Sequence, residues 1–179
     1  MKIMGISGLA GSGKSIVSET ASERGAIIVS MGDIIREEAK KRGETTKETA
    51  RNLRIEFGEY IVSELTIKKI KKLLDEGCEN SIVVEGIRSH HEVEMFKDNF
   101  DEFIILSIIA NATLRFERLK IRQREDDSDD INVFNKRDEQ ELDFGMGNVI
   151  ALSDKILVNE SDIESFKKKI NEYFDEINL

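Results

Sequence analysis

The residues from Ile3 to Ser15 constrain this chain more than any others. They run Ile-Met-Gly-Ile-Ser-Gly-Leu-Ala-Gly-Ser-Gly-Lys-Ser: an apolar strand, a glycine-rich turn and the first turn of a helix. Gly8, Gly13, Lys14 and Ser15 fit the pattern G-x-x-x-x-G-K-[ST], in which successive backbone N–H groups surround a phosphate. Leu9, Ala10, Gly11 and Ser12 complete the loop. Glycines remove the Cβ atoms that would block the anion, and the new helix adds its unpaired N–H groups and positive dipole end. Lys14 is expected to reach the terminal phosphates, and the Ser15 hydroxyl to hold Mg²⁺. A strand feeding such a loop belongs in an α/β layer structure.

The rest of the composition narrows the partners. With 179 residues the chain is long enough for one α/β domain and short for two. A formal net charge of -9 argues against an extended nucleic-acid backbone as the main partner, though it leaves room for a local cationic pocket. Cys78 is the single cysteine, which excludes an internal disulfide and suits a reducing compartment. A strand two residues from the start leaves no room for a signal peptide, and no apolar run approaches membrane-spanning length. A cytoplasmic protein without membrane contact is the expectation.

Taken in order, residues 14–24 read as a helix and 26–30 as a short strand ending in Ser30-Met31-Gly32-Asp33-Ile34-Ile35-Arg36. Ligands of doubly wound sheets lie beyond the carboxyl ends of the strands, so Asp33 and Arg36 are placed to act on a substrate; helix capping by Asp33 is the structural alternative. Residues 34–77 are helical in character, with breaks near Gly43 and Gly58. That is longer than a plain crossover needs and reads as a substrate-covering insertion, with Arg54 as a further candidate anion contact.

The next strand, 81–85, ends Val84-Glu85-Gly86-Ile87-Arg88. A carboxylate at a strand tip can hold the water shell of Mg²⁺, and Arg88 emerges at the same edge. His90 and His91 are adjacent, do not share a helix face and have no ligand partner at metal spacing. Residues 103–110 form an apolar run fit for a central strand. Asn111 is a candidate N-cap for a helix from about Thr113 that carries Arg115, Arg118, Arg122 and Arg124, then meets an acidic run. A cationic cluster ahead of a polar loop suits a lid that closes over phosphates. Asn135-Lys136-Arg137-Asp138 spells a guanine-reading tetrapeptide, but it follows no apolar strand and runs into helical sequence, so Arg137 is read as the second side of the lid. A helix near 148–152, a strand at 155–159 and a final helix complete the chain. Ser161 and Glu164 suggest a capping box, Ile163, Phe166, Ile170, Phe174 and Ile177 an apolar stripe, and the backbone of 158–160 a contact to adenine.

These motifs together resemble the nucleoside monophosphate kinase group of P-loop kinases, and most closely an archaeal adenylate-kinase-related, dephospho-CoA-kinase-like family. The likeness covers nearly the whole chain. The Ser30–Arg36 segment is similar to S-T-G-D-L-L-R, which holds the acceptor nucleotide. Val84–Arg88 is similar to D-G-F-P-R, whose arginine grips the acceptor phosphate. Thr113–Leu119 resembles the helix leading to the lid, and Arg137-Asp138 the lid's return. Met31 stands where the pattern has a threonine, Glu85 where it has aspartate, and Arg88 is one residue nearer the carboxylate.

The resemblance implies a three-layer α/β/α P-loop fold with a five-stranded parallel sheet. Its core would be 1–33, 78–121 and 145–179, the acceptor-binding insertion about 34–77 and the lid about 122–144. It implies ATP and Mg²⁺ as cofactors and AMP or a related nucleotide as acceptor. Lys14, Arg88, Arg124 and Arg137 would be catalytic. Gly8 to Ser15, Arg118 and Arg122 would bind ATP, and Asp33, Arg36, Arg54, Gly86 and Arg88 the acceptor, with Ser15 and Glu85 at the metal. Transfer to a sugar hydroxyl with Asp33 as base, and a nucleotide-responsive module with little turnover, are the alternatives; a GTPase is a third.

Overall fold

A computed structural model describes residues 1–122 and 127–179. Five short apolar runs form one sheet: β1 Ile3–Ser7, β2 Ile27–Ser30, β3 Ile82–Glu85, β4 Phe103–Ile109 and β5 Lys155–Val158. Their order is β2-β3-β1-β4-β5, and every pairing is parallel. A parallel sheet needs cover on both faces, and the alternation of side chains supplies two separate cores. On one face Ile82, Val84 and Ile105 pack against α4 (Ile61–Asp75) and α5 (His90–Asn99). On the other, Met4, Ile6, Val83 and Leu106 pack against α1 (Lys14–Glu23) and α9 (Ile163–Ile177). Gly5, mid-strand in β1, is required by the packing. A Cβ there would lie 2.5 Å from the Ile87 side chain and 2.8 Å from those of Ile105 and Phe103.

The register brings the carboxyl ends of the strands level, with Ser30 beside Glu85 and Glu85 beside Ile6. The chain leaves β1 toward β2 and β3 and later crosses to β4 on the other side, so a crevice opens beyond these tips. Around it stand α2 (Met31–Arg42), α3 (Thr46–Phe57) and α4 in the long β2–β3 connection. Gly43 and Gly58 end α2 and α3 at positive φ, where the sequence reading placed the breaks. On the far side are α6 (Ala112–Arg122), α7 (Ile131–Asp143) and α8 (Met146–Ala151).

Several local expectations change. Helix α2 begins directly at Met31 and is capped by Ser30, whose hydroxyl accepts from the Asp33 backbone N–H; Asp33 is therefore not the cap. Met31 turns into the core against Gly86. The cap of α9 is Asp162, bonded to Ser165, in place of the Ser161–Glu164 box. The buried stripe of α9 starts at Phe166, because Ile163 lies in the first exposed turn, and Tyr173 joins it. Asn111 caps α6 as expected, accepting from the Leu114 N–H at 2.9 Å. No helix of the described residues is long and apolar enough to cross a membrane.

Candidate active site

The glycine loop connects β1 to α1 with Gly8, Gly11 and Gly13 all at positive φ. Gly13 is the N-cap of α1, where no side chain caps the helix and no acid stands in the first turn. That end of the helix therefore presents an uncompensated positive pole. The carbonyls from Gly8 to Ser12, by contrast, all accept hydrogen bonds from side chains. Lys14 Nζ donates to the Gly8 and Leu9 carbonyls at 2.5 and 3.1 Å. Arg115 donates to the Ala10 carbonyl at 3.1 Å, Arg118 to that of Gly11 at 3.4 Å and Asn159 Nδ2 to that of Ser12 at 2.8 Å. Of the loop N–H groups, that of Ser12 donates to the Leu9 carbonyl at 3.2 Å, and those at the start of α1 are left for an anion.

Close packing holds this arrangement. A Cβ at Gly8 would lie 2.3 Å from the Ile108 carbonyl, and one at Gly11 2.6 Å from that of Arg115. Arg115 is 3% exposed, so its charge requires partners. Asp138 of α7 meets it with both oxygens, at 2.9 and 2.5 Å, and the Phe134 ring lies 5.0 Å below the guanidinium. One buried arginine thus ties α6, α7 and the loop together.

A cavity of about 430 Å³ opens over the loop, within the size range of small-ligand sites. Gly8, Ala10, Gly11, Gly13, Lys14 and Ser15 line one side. Ser30, Gly32, Glu85, Gly86 and Arg88, from the tips of β2 and β3, line another. Arg118, Arg122, Arg137 and Glu141, from α6 and α7, close the third. Glu85 accepts from the Ser18 hydroxyl of α1. Burial pulls Lys14 down to about 8; Glu141 and Glu85 oppose that effect, while Arg88 and Arg137 add to it. Burial likewise lowers Arg118, with Glu160 opposing it.

The structure brings most of the expected residues to this cavity, but not all of them. Asp33 and Arg36 bind each other on the exposed first turns of α2 and lie outside its lining. Arg54 also lies outside it, with its guanidinium 5.9 Å from the ring of Phe144. Arg124 is outside the described residues. Arg122 and Arg137 both bind Asp127, Arg122 through two bonds at 2.8 and 2.6 Å and Arg137 at 3.4 Å. Within 158–160 only Asn159 turns inward, its carbonyl accepting from Arg118 at 3.1 Å and its amide bracing the loop, while Val158 and Glu160 are exposed. The Asn135–Asp138 tetrapeptide lies within α7 and ends no strand. The His91 and Tyr60 rings meet at a tilt of 42° with centroids 4.1 Å apart, and His90 faces Glu94.

Sequence reasoning missed Glu141, Asn159, Asp127 and the structural role of Arg115. The spacing of Phe134, Arg137, Asp138 and Glu141 does place them on one face of α7, a signal available in advance. Among the described residues no group of three or more His, Cys, Asp or Glu could enclose a metal by itself. A hard cation held by the Ser15 hydroxyl, the Glu85 carboxylate and phosphate oxygens fits this donor set, because Mg²⁺ characteristically takes few protein ligands.

A family model described as an AAA domain matches residues 7–135. A UPF0200 protein of Methanothermobacter thermautotrophicus is 45% identical over 169 residues, covering 94% of this chain and 87% of its own length. A UPF0200 protein of Thermococcus onnurineus is 40% identical, covering 96% of each. Among solved structures, TT1252 from Thermus thermophilus superposes with a TM-score of 0.69 at 16% identity, covering 98% of this chain and 97% of that one. Shikimate kinase from Bacteroides thetaiotaomicron gives 0.62 at 15%, covering 99% of each, and a sugar kinase from Janibacter sp. HTCC2649 gives 0.64 at 14%, covering 98% and 95%. At such identities the likeness establishes a P-loop kinase-like fold.

Proposed function

The chain belongs to the UPF0200 family and to the AAA domain family, and from that premise we propose that it is a Mg²⁺- and ATP-dependent phosphotransferase acting on a small phosphorylated acceptor, AMP or a related nucleotide. The observation that carries this reading is that one cavity is lined both by the glycine loop and by Glu85, Gly86, Arg88 and Arg137 opposite it. A donor's terminal phosphate on the loop would face a second cationic wall across a small distance, which is the arrangement group transfer requires.

In this reading the loop N–H groups and Lys14 hold the donor phosphates. Ser15 and Glu85 would hold Mg²⁺, which supplies charge neutralisation when bound. An oxygen of the acceptor phosphate attacks the γ-phosphorus, the bond to the β–γ bridging oxygen breaks, and ADP leaves with that electron pair. The attacking oxygen is already ionised, so no base is needed. Arg88 would orient the acceptor, with Arg137 stabilising the transferring group. Arg122 and Arg118 would lie on the ATP side, while Asp33, Arg36 and Arg54 would reach the acceptor by movement of α2 and α3.

A hydroxyl acceptor is the second reading, favoured by Asp33, whose exposed carboxylate stands beside the cavity-lining Gly32. Assaying ATP consumption with AMP, other nucleotides and dephospho-CoA, in wild type and Asp33→Asn, separates the two. AMP-stimulated turnover whose kcat survives Asp33→Asn, with any change confined to KM, is the expected result. Stimulation by dephospho-CoA and not by AMP, with a kcat that collapses in Asp33→Asn, establishes the hydroxyl reading, and tight nucleotide binding with no acceptor-stimulated turnover overturns the enzyme reading.

A further inference from the structure

The wall that faces the glycine loop contains a carboxylate where a cationic site would be expected to have none. Glu141, on α7, has a side chain only 16% exposed and lines the same cavity as Lys14, Arg88 and Arg137. Its Oε2 lies 3.5 Å from Arg88 Nε, close enough for strong attraction and too long for a good hydrogen bond. The helix that carries it is fixed. Phe134 is buried one side of Arg137, and Asp138 is clamped by Arg115, so Glu141 is held one turn further along the same face.

Three features of the pair bear on its role. Arg88 is half exposed and has no second carboxylate partner among the described ion pairs, so it can change partners. Glu141 also shares the cavity lining with Lys14, and among the neighbouring charges it acts most strongly on that lysine. A phosphate that approached Arg88 with Glu141 in place would meet a like charge at short range, whereas a neutral molecule would bring nothing able to compete for the guanidinium.

We propose that Glu141 is the specificity-determining residue of the acceptor side: it occupies Arg88 as an internal stand-in for phosphate, and only an acceptor that brings its own phosphate can take Arg88 over. The inference rests on the phosphotransferase reading and adds the rule by which that site selects its acceptor. Water and neutral hydroxyl compounds leave the Arg88–Glu141 pair intact, and Arg88 stays turned to the protein. A phosphorylated acceptor exchanges with the carboxylate and is oriented by the guanidinium it releases. Glu141 acts through Arg88 and takes no part in bond making.

The test uses the full chain saturated with Mg²⁺ and a non-hydrolysable ATP analogue, titrated calorimetrically with inorganic phosphate as the minimal dianion. Glu141→Gln removes the charge and keeps the shape, and it is expected to bind phosphate about fivefold more tightly, the worth of a partly exposed ion pair. Glu141→Asp keeps the charge and is expected to stay within about twofold of wild type. A gain of affinity is not what structural damage produces. If the analogue binds wild type and Glu141→Gln binds phosphate equally or more weakly, this inference falls and the phosphotransferase reading stands. If wild type does not bind the analogue at all, both fall.

Discussion

The two sides of the cavity are built on different plans. On the side proposed for the donor, five loop carbonyls are held by Lys14, Arg115, Arg118 and Asn159, and of these bracing residues Arg115 and Asn159 are themselves buried. On the side proposed for the acceptor, Arg88 leans toward Glu141 without a hydrogen bond, and beyond the lining Asp33 binds Arg36 in the open and Arg54 rests over an exposed phenylalanine. The first plan pre-organises a site for one ligand shape, with the cost of order met during folding. The second keeps charges paired with each other at little stability and lets a ligand exchange them. A rigid phosphate cradle beside adaptable charges is what a phosphotransferase needs if its donor is constant and its acceptor must be chosen.

The contrast can be broken most directly at Lys14. Lys14→Met should lower acceptor-stimulated turnover by about 10²–10³, the loss typical of a single charge-stabilising donor, with the circular dichroism spectrum unchanged. Retention of turnover would remove the donor side from the chemistry. Next in size, Arg115→Met strands Asp138 in a buried setting and should cost about 3–5 kcal/mol in urea unfolding. Asn159→Ala frees the Ser12 carbonyl and should cost about 1–3 kcal/mol, with weaker ATP binding in the same titration series. A smaller loss than that of the exposed acceptor pairs would erase the distinction between braced and open sides.

Solution pH sharpens the comparison on the donor side alone. Lys14 loses its proton in the ligand-free protein as pH rises through about 8, whereas a bound polyphosphate favours the protonated form. ATP binding must then take up a proton above that pH, so affinity should fall by at most about tenfold per pH unit there and stay flat below it. Calorimetric titration from pH 6 to 9.5 checks this. The smallest effect is expected at Arg36→Ala. It breaks an exposed pair and should change stability by less than about 1 kcal/mol, any larger consequence appearing only as a raised acceptor KM.

The phosphate loop could be read from the chain because its working parts are local. Backbone N–H groups, three glycines, one lysine and one hydroxyl lie within eight consecutive residues, so spacing alone places them around an anion. The parallel sheet followed for a related reason: runs such as 103–109 are apolar except for Ser107, a pattern that suits strands covered on both faces. The helix breaks at Gly43 and Gly58 were equally visible, since a residue at positive φ without a Cβ is a local property.

What remained for the tertiary structure to decide was the pairing of charges. Arg115 looks like any other arginine of a cationic helix, and it becomes the buried tie of the site only because Asp138 and the Ala10 carbonyl, 23 and 105 residues away, converge on it. Asn159 reaches the Ser12 carbonyl across 147 residues, and Glu141 meets Arg88 only because α7 folds back over the β3 tip. Charge interactions depend on distance in space and on the dielectric around them, and neither is encoded by position along the chain.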